Sequence, residues 1–114
     1  MEKSFNKGMV RNSKIIGKVQ IERDTIIENS MIRGPCYIGK GCNIKNAIIG
    51  PFVSIGNDCK IENAEIENSI ILEECHISCR KRIVDSIIGK NSFVGESLRE
   101  KCKLVIGELS KVEI

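Results

Sequence analysis

Aliphatic residues recur along this chain every five or six positions, at Ile15, Ile21, Ile27, Ile32, Ile38, Ile44, Ile49, Ile55, Ile61, Ile66, Ile71, Ile77, Ile83, Ile88 and Val94. Every third one returns after 17 residues, as in Ile15, Ile32, Ile49, Ile66 and Ile83. A helix repeats every 3.6 residues and a strand alternates every second, so neither period holds this beat over a long run. A solenoid holds it, with one short strand and one corner per beat and three beats per triangular coil. A run of hairpins would need turn dipeptides between antiparallel strands of more even hydrophobicity.

The residue two before each anchor points to the same side of its strand and must fit beside a tight corner. Those positions read Ser13, Val19, Thr25, Ser30, Cys36, Cys42, Ala47, Val53, Cys59, Ala64, Ser69, Cys75, Lys81, Ser86 and Ser92, small or β-branched in every case but Lys81. The fold class expected is therefore all-β, a single-stranded parallel β-helix of about five 17-residue coils with a C-terminal cap. Face one is anchored by Ile15, Ile32, Ile49, Ile66 and Ile83. Face two is anchored by Ile21, Ile38, Ile55, Ile71 and Ile88, and face three by Ile27, Ile44, Ile61, Ile77 and Val94. Near Ile70, Ile71 and Leu72 the register is open by one residue.

Corners carry residue types that tolerate a left-handed backbone. Gly follows the anchor at Gly39, Gly50, Gly56, Gly89 and Gly95, and Gly17, Asn29, Gly34, Asn46, Asn57, Asn63, Asn68 and Asp85 stand one place further on. Pro51 is the exception, because its ring fixes φ negative. Residues 1–12 show no beat and read as a linker or a frayed leading strand; 13–97 form the coils. Residues 98–114 lose the beat but alternate at Cys102, Leu104 and Ile106, then Val112 and Ile114, as a cap over the open end would.

Composition changes this picture little. One Tyr, three Phe and no Trp suit a prism too narrow for inward rings. A net charge of +3, interleaved along the chain, does not suggest a nucleic-acid or membrane surface. No stretch has the length of a membrane span and Met1 to Asn12 lacks a signal-peptide core, so a cytoplasmic location is the default expectation. Of the six cysteines, Cys36, Cys42, Cys59 and Cys75 fall at the small inward position, where a reduced thiol is an apolar filler. Cys42, Cys59 and Cys75 share one corner of successive coils, and thiols stacked about 4.8 Å apart in parallel make poor disulfides. Neither their spacing nor a clustered His supports a metal site.

The stretch Arg33 to Asp58, RGPCYIGKGCNIKNAIIGPFVSIGND, resembles the hexapeptide-repeat left-handed β-helix domains of sugar-1-phosphate nucleotidyltransferases. The likeness is closest to the C-terminal domain of the long-type glucose-1-phosphate thymidylyltransferases. It rests on Arg33-Gly34-Pro35, Ile49-Gly50-Pro51-Phe52, Ser54-Ile55-Gly56, Glu65 to Ile70, Arg82 to Gly89, and the ending Leu104 to Ile114. This chain has Asn68 where the family carries an aromatic and Glu108 where it carries Asp. The resemblance implies the left-handed sense, an exception to the right-handed rule for parallel crossovers. It also implies a non-catalytic assembly or regulatory module whose catalytic domain, with its Mg²⁺ and its Gly-rich nucleotide loop, is not in this sequence. No cofactor is expected in the chain itself. Gly39-Lys40-Gly41 falls on a prism corner rather than between strand and helix, so it is no phosphate loop.

His76 is the sole histidine and points outward on face three between Lys60 and Phe93. Hexapeptide acyltransferases use such a His as general base between subunits, which gives the alternative function: a sugar acyltransferase using acetyl-CoA with His76 as base. The plainer reading is a solvated imidazole, since no carboxylate is evidently placed to orient it. A lone His excludes a three-His metal centre. Arg80-Lys81-Arg82 reads as a solvated basic corner or a phosphate contact. Outward apolar residues, Met31 and Ile48 on face one and Tyr37, Ile70 and Ile87 on face two, are the interface candidates, with Ile26 and Phe93 on face three. The partners expected are another copy, as a dimer or trimer, or a nucleotidyltransferase catalytic domain.

Overall fold

An inward aliphatic at each beat and a left-handed residue at all but one of the described corners, the exception being Gly34-Pro35, give strands of two or three residues that turn by a third of a circuit each time. The computed structural model describes residues 8–78 and 82–95 in full, and the backbone of 5–6, 101–102, 105–106 and 111–113. Among the described residues every strand pair is parallel and joins successive coils, which excludes the hairpin alternative. Face one stacks Lys14–Ile16, Met31–Arg33, Ile48–Ile49, Glu65–Glu67, Arg82–Val84 and Lys101–Cys102. Face two stacks Phe5–Asn6, Val19–Ile21, Cys36–Ile38, Val53–Ile55, Ser69–Ile71, Ile87–Ile88 and Val105–Ile106. Face three stacks Met9–Arg11, Ile26–Glu28, Asn43–Lys45, Lys60–Glu62, His76–Ser78, Phe93–Gly95 and Lys111–Glu113.

The register piles each anchor on its equivalent: Ile15 on Ile32, Ile32 on Ile49, Ile49 on Ile66 and Ile66 on Ile83. From Ile21 to Val94 all anchors are buried, and Ile15, near the open end, is partly so. The register left open at Ile70 is settled by burial, with Ile71 inside and Ile70 and Leu72 outside.

Strand pairing extends beyond the beat at both ends. Phe5–Asn6 and Met9–Arg11 pair with the strands 15 and 17 residues on, so the segment read as a linker or frayed strand supplies two rungs. Val10 aligns with Ile27, and only its half-burial at the prism end separates it from the later anchors. Lys101–Cys102, Val105–Ile106 and Lys111–Glu113 likewise pair in parallel with Arg82–Val84, Ile87–Ile88 and Phe93–Gly95. Lys81, Arg80, Leu98, Leu104, Gly107, Glu108 and Ile114 lie outside the described residues.

The corners differ from expectation in two respects, of which the smaller is that Gly34 is not left-handed. Asn12, Asn29, Asn46 and Asn63 turn at φ near 50°, and Gly17, Asn68 and Asp85 are also left-handed, as their types suggest. Between faces two and three the left-handed residue comes later, at Asp24, Gly41, Asp58, Glu74 and Asn91. Gly39 and Gly56 are therefore needed for space rather than for φ. A Cβ on Gly39 would lie 2.5 Å from Asn57 Oδ1, and one on Gly56 2.9 Å from the Glu73 nitrogen. Around Pro51 the turn is made by its two neighbours, Gly50 at φ 100° and Phe52 at φ 62°.

Small inward residues also tie coil to coil. The Ser30 hydroxyl donates to the Glu28 carbonyl at 2.8 Å and accepts the Ala47 N–H at 3.1 Å; Ser69 treats Glu67 and Ser86 the same way. The thiols do more than fill space. Thr25 Oγ1 donates to the Gly39 carbonyl at 2.6 Å, and below it Cys42, Cys59 and Cys75 point at the Gly56, Leu72 and Gly89 carbonyls at 3.2, 3.1 and 3.0 Å. Cys36, Cys42, Cys59 and Cys75 are free and buried. Burial pushes the Cys36 thiol up to about 12, and the flanking Cys42 and Cys75 thiols together with burial raise Cys59. Held neutral, Cys36 and Cys59 are poor nucleophiles and poor metal ligands, whereas the side-chain hydrogen bond with Cys59 lowers the Cys42 and Cys75 thiols.

Candidate functional site

With the interior closed by stacked Ile, the chemistry available to partners lies on the three outward faces. They are unlike one another. Face one presents Lys14, Met31, Ile48, Glu65 and Arg82 along one row, so its apolar stretch spans two rungs between charged ones. Arg82 is held there by Glu65 at 3.7 Å and by a contact with Glu67. That pairing makes this described part of the basic corner a surface ion-pair cluster.

Face three carries His76, which the register sets between Lys60 and Phe93 as expected. Its ring meets Phe93 edge-on, with centroids 5.1 Å apart at 75°. A carboxylate does stand nearby: Glu62 Oε1 is 3.9 Å from His76 Nε2 and 3.7 Å from Lys60 Nζ. Glu62 was not legible in the sequence because it lies diagonally, two residues past Lys60 on the coil before. At 3.9 Å the contact is an ion pair when His76 is protonated, too long for the hydrogen bond that fixes a tautomer for base catalysis.

Face two is the apolar one. Gln20, Tyr37, Ser54, Ile70 and Ile87 form its central row, with Tyr37, Ile70 and Ile87 38 %, 44 % and 48 % exposed. Tyr37, Ile70 and Ile87, three of the five interface candidates, thus come together, while Met31 and Ile48 sit on face one. Phe52 stands beside this row at 63 % exposure, the largest apolar surface among the described residues. Phe52 is not among the interface candidates legible in the sequence, although its place in Gly50-Pro51-Phe52 was a signal. A shallow groove crosses the row between Lys18, Tyr37, Phe52 and Ile70. Among the described residues no group of His, Cys, Asp or Glu is disposed to hold a metal ion, and no helix is long and apolar enough to cross a membrane.

Comparison with known proteins bears on the whole solenoid. A family model described as the GMPPB C-terminal domain matches residues 33–114. The chain belongs to that family. A second model, the GlmU-like C-terminal hexapeptide domain, matches residues 3–61, so the two together run nearly from end to end. Membership carries the left-handed sense of the hexapeptide β-helix, whose regular beat runs for about five turns with further strands paired at each end. A curated relative, the low-salt glycan biosynthesis nucleotidyltransferase Agl11 of Haloferax volcanii, is 40 % identical over 52 residues, 43 % of this chain. The match spans 15 % of that relative's length. Among solved structures, a Bacillus cereus protein described as an acetyltransferase aligns at 19 % identity over 91 % of this chain and 70 % of its own, with a TM-score of 0.28. The GMPPB-type domain is accordingly a hexapeptide-repeat domain of the nucleotidyltransferase family.

Proposed function

We propose that this chain is the non-catalytic assembly module of a sugar-1-phosphate nucleotidyltransferase of the glucose-1-phosphate thymidylyltransferase kind, and that it acts by self-association. The observation that carries this reading is the family match over residues 33–114, joined to nucleotidyltransferase kinship in a curated relative. The geometry supports it: the described coils offer flat sheet faces whose exposed aliphatics suit docking. The catalytic work, with its Mg²⁺, belongs to a separate domain under this reading.

The test is direct. Incubated with a sugar 1-phosphate, a nucleoside triphosphate and Mg²⁺, the chain releases no pyrophosphate above the blank, and with acetyl-CoA it frees no coenzyme A. Pyrophosphate release would contradict the proposal. Acetyl-CoA turnover that vanishes in His76→Ala would replace it with the acyltransferase reading.

A further inference from the structure

We propose that face two is the contact between two copies of this chain, packed face to face about a two-fold axis parallel to the prism. This rests on the self-association reading and adds the face and the symmetry. A two-fold interface must be complementary to itself, and face two meets that condition in three ways.

The central row comes first. Rotation about an axis along the prism sets each rung opposite the same rung of the partner copy, so Ile70 meets Ile70, Ile87 meets Ile87, and polar Gln20 meets Gln20. Reversing one prism would instead press Ile87 against Gln20. It would also bring Arg23 over Lys90, since both follow their anchors Ile21 and Ile88 by two residues.

Shape is the second. The same rotation exchanges the two margins of the face, because residues two before the central row meet residues two after it. Phe52, the most exposed large apolar side chain among the described residues, then faces the partner copy's Gly56, and Pro35 faces Gly39. Those glycines stay flat because their own corners leave no room for a Cβ. Charge is the third: Lys18 on one margin meets Glu22 on the other, at the polar end of the row. Glu22 already accepts the Gln20 amide at 2.5 Å, which holds it on this face.

Two further observations point the same way. Phe52 is held at φ 62°, a costly conformation for a bulky residue, by backbone hydrogen bonds to Pro35 and Ser69 on the neighbouring coils, and there its side chain stays 63 % exposed. The prism measures 38 × 23 × 22 Å, so one face approaches the roughly 800 Å² per partner of a standard interface.

The experiment is sedimentation equilibrium on the full chain, with cross-linking. The wild type has twice its 12.7 kDa mass. Ile70→Glu and Phe52→Gly each raise the dimer dissociation constant about 100-fold or more, the effect of losing a central interface residue. Phe52→Gly guards against misfolding, because glycine suits its backbone and its thermal midpoint at low concentration is no lower than wild type. Ile87→Cys yields a disulfide-linked dimer on mild oxidation, above the wild-type background. A wild type that is monomeric at all concentrations overturns both this proposal and the self-association reading. A trimer, or an assembly indifferent to both substitutions, overturns the face and symmetry alone. Cross-linking that needs Gln20→Cys together with Ile87→Cys overturns the parallel arrangement.

Discussion

Replacing Ile66 by Ala will lower the unfolding free energy by about 4 kcal/mol, within the range of 2–5 for deleting a buried aliphatic side chain. Ile66 is fully buried and is sandwiched between Ile49 and Ile83. In a globular core the surroundings partly collapse onto such a gap. Here the coil spacing is fixed by strand hydrogen bonds on every side, including Gly50 N–H to the Ile66 carbonyl at 2.8 Å. The void therefore persists, and both neighbouring coil interfaces weaken together. The outward neighbour Glu65→Ala is the control. Its one ion pair among the described residues is a long one at the surface, so its cost is about 0.5 kcal/mol or less. Urea denaturation of both variants checks the prediction; equal effects would mean that Ile66 does not sit between coils.

The second large effect is Gly50→Ala, expected to cost about 3 kcal/mol. Gly50 turns the corner at φ 100°, outside the region an L side chain tolerates, and an added Cβ would overlap the Arg33 carbonyl oxygen of the coil before. Its own carbonyl accepts Arg33 Nη2 at 3.2 Å, so displacing the corner also breaks a coil-to-coil bond. Asn46→Gly, at a corner with φ 51°, should change stability by only a few tenths of a kcal/mol. A Gly50→Ala midpoint equal to wild type would mean that this corner can turn another way.

Why some of this could be read from the sequence and some could not follows from the repeat. Ile32, Ile49 and Ile66 announce a stacked prism because each coil must fill the same space with the same side chain. Asn29, Asn46 and Asn63 announce a corner because few residues take a left-handed backbone cheaply. What repeats is legible; what occurs once is not. Phe52 breaks its column, where Lys18, Pro35, Asn68 and Asp85 stand on other rungs, so the repeat does not mark it. Glu62 reaches His76 along a diagonal that no strand register lists as a pair. The cysteine column was legible as filler, yet Thr25 at its head was the clue that the column also donates hydrogen bonds. Val10 and Asn12 sit 17 residues before Ile27 and Asn29, and that spacing could have placed the first rungs.

The claim beneath all of this is the pile of isoleucines along the prism axis, and methyl-labelled NMR reads it most directly. Nuclear Overhauser contacts should run from the Ile32 to the Ile49 methyls, from Ile49 to Ile66, and from Ile66 to Ile83, since strands of successive coils lie about 4.8 Å apart. An unbroken chain of these contacts is the expected result. Ile49 methyls that contact neither Ile32 nor Ile66 would contradict the stacked-coil account and every inference drawn from it.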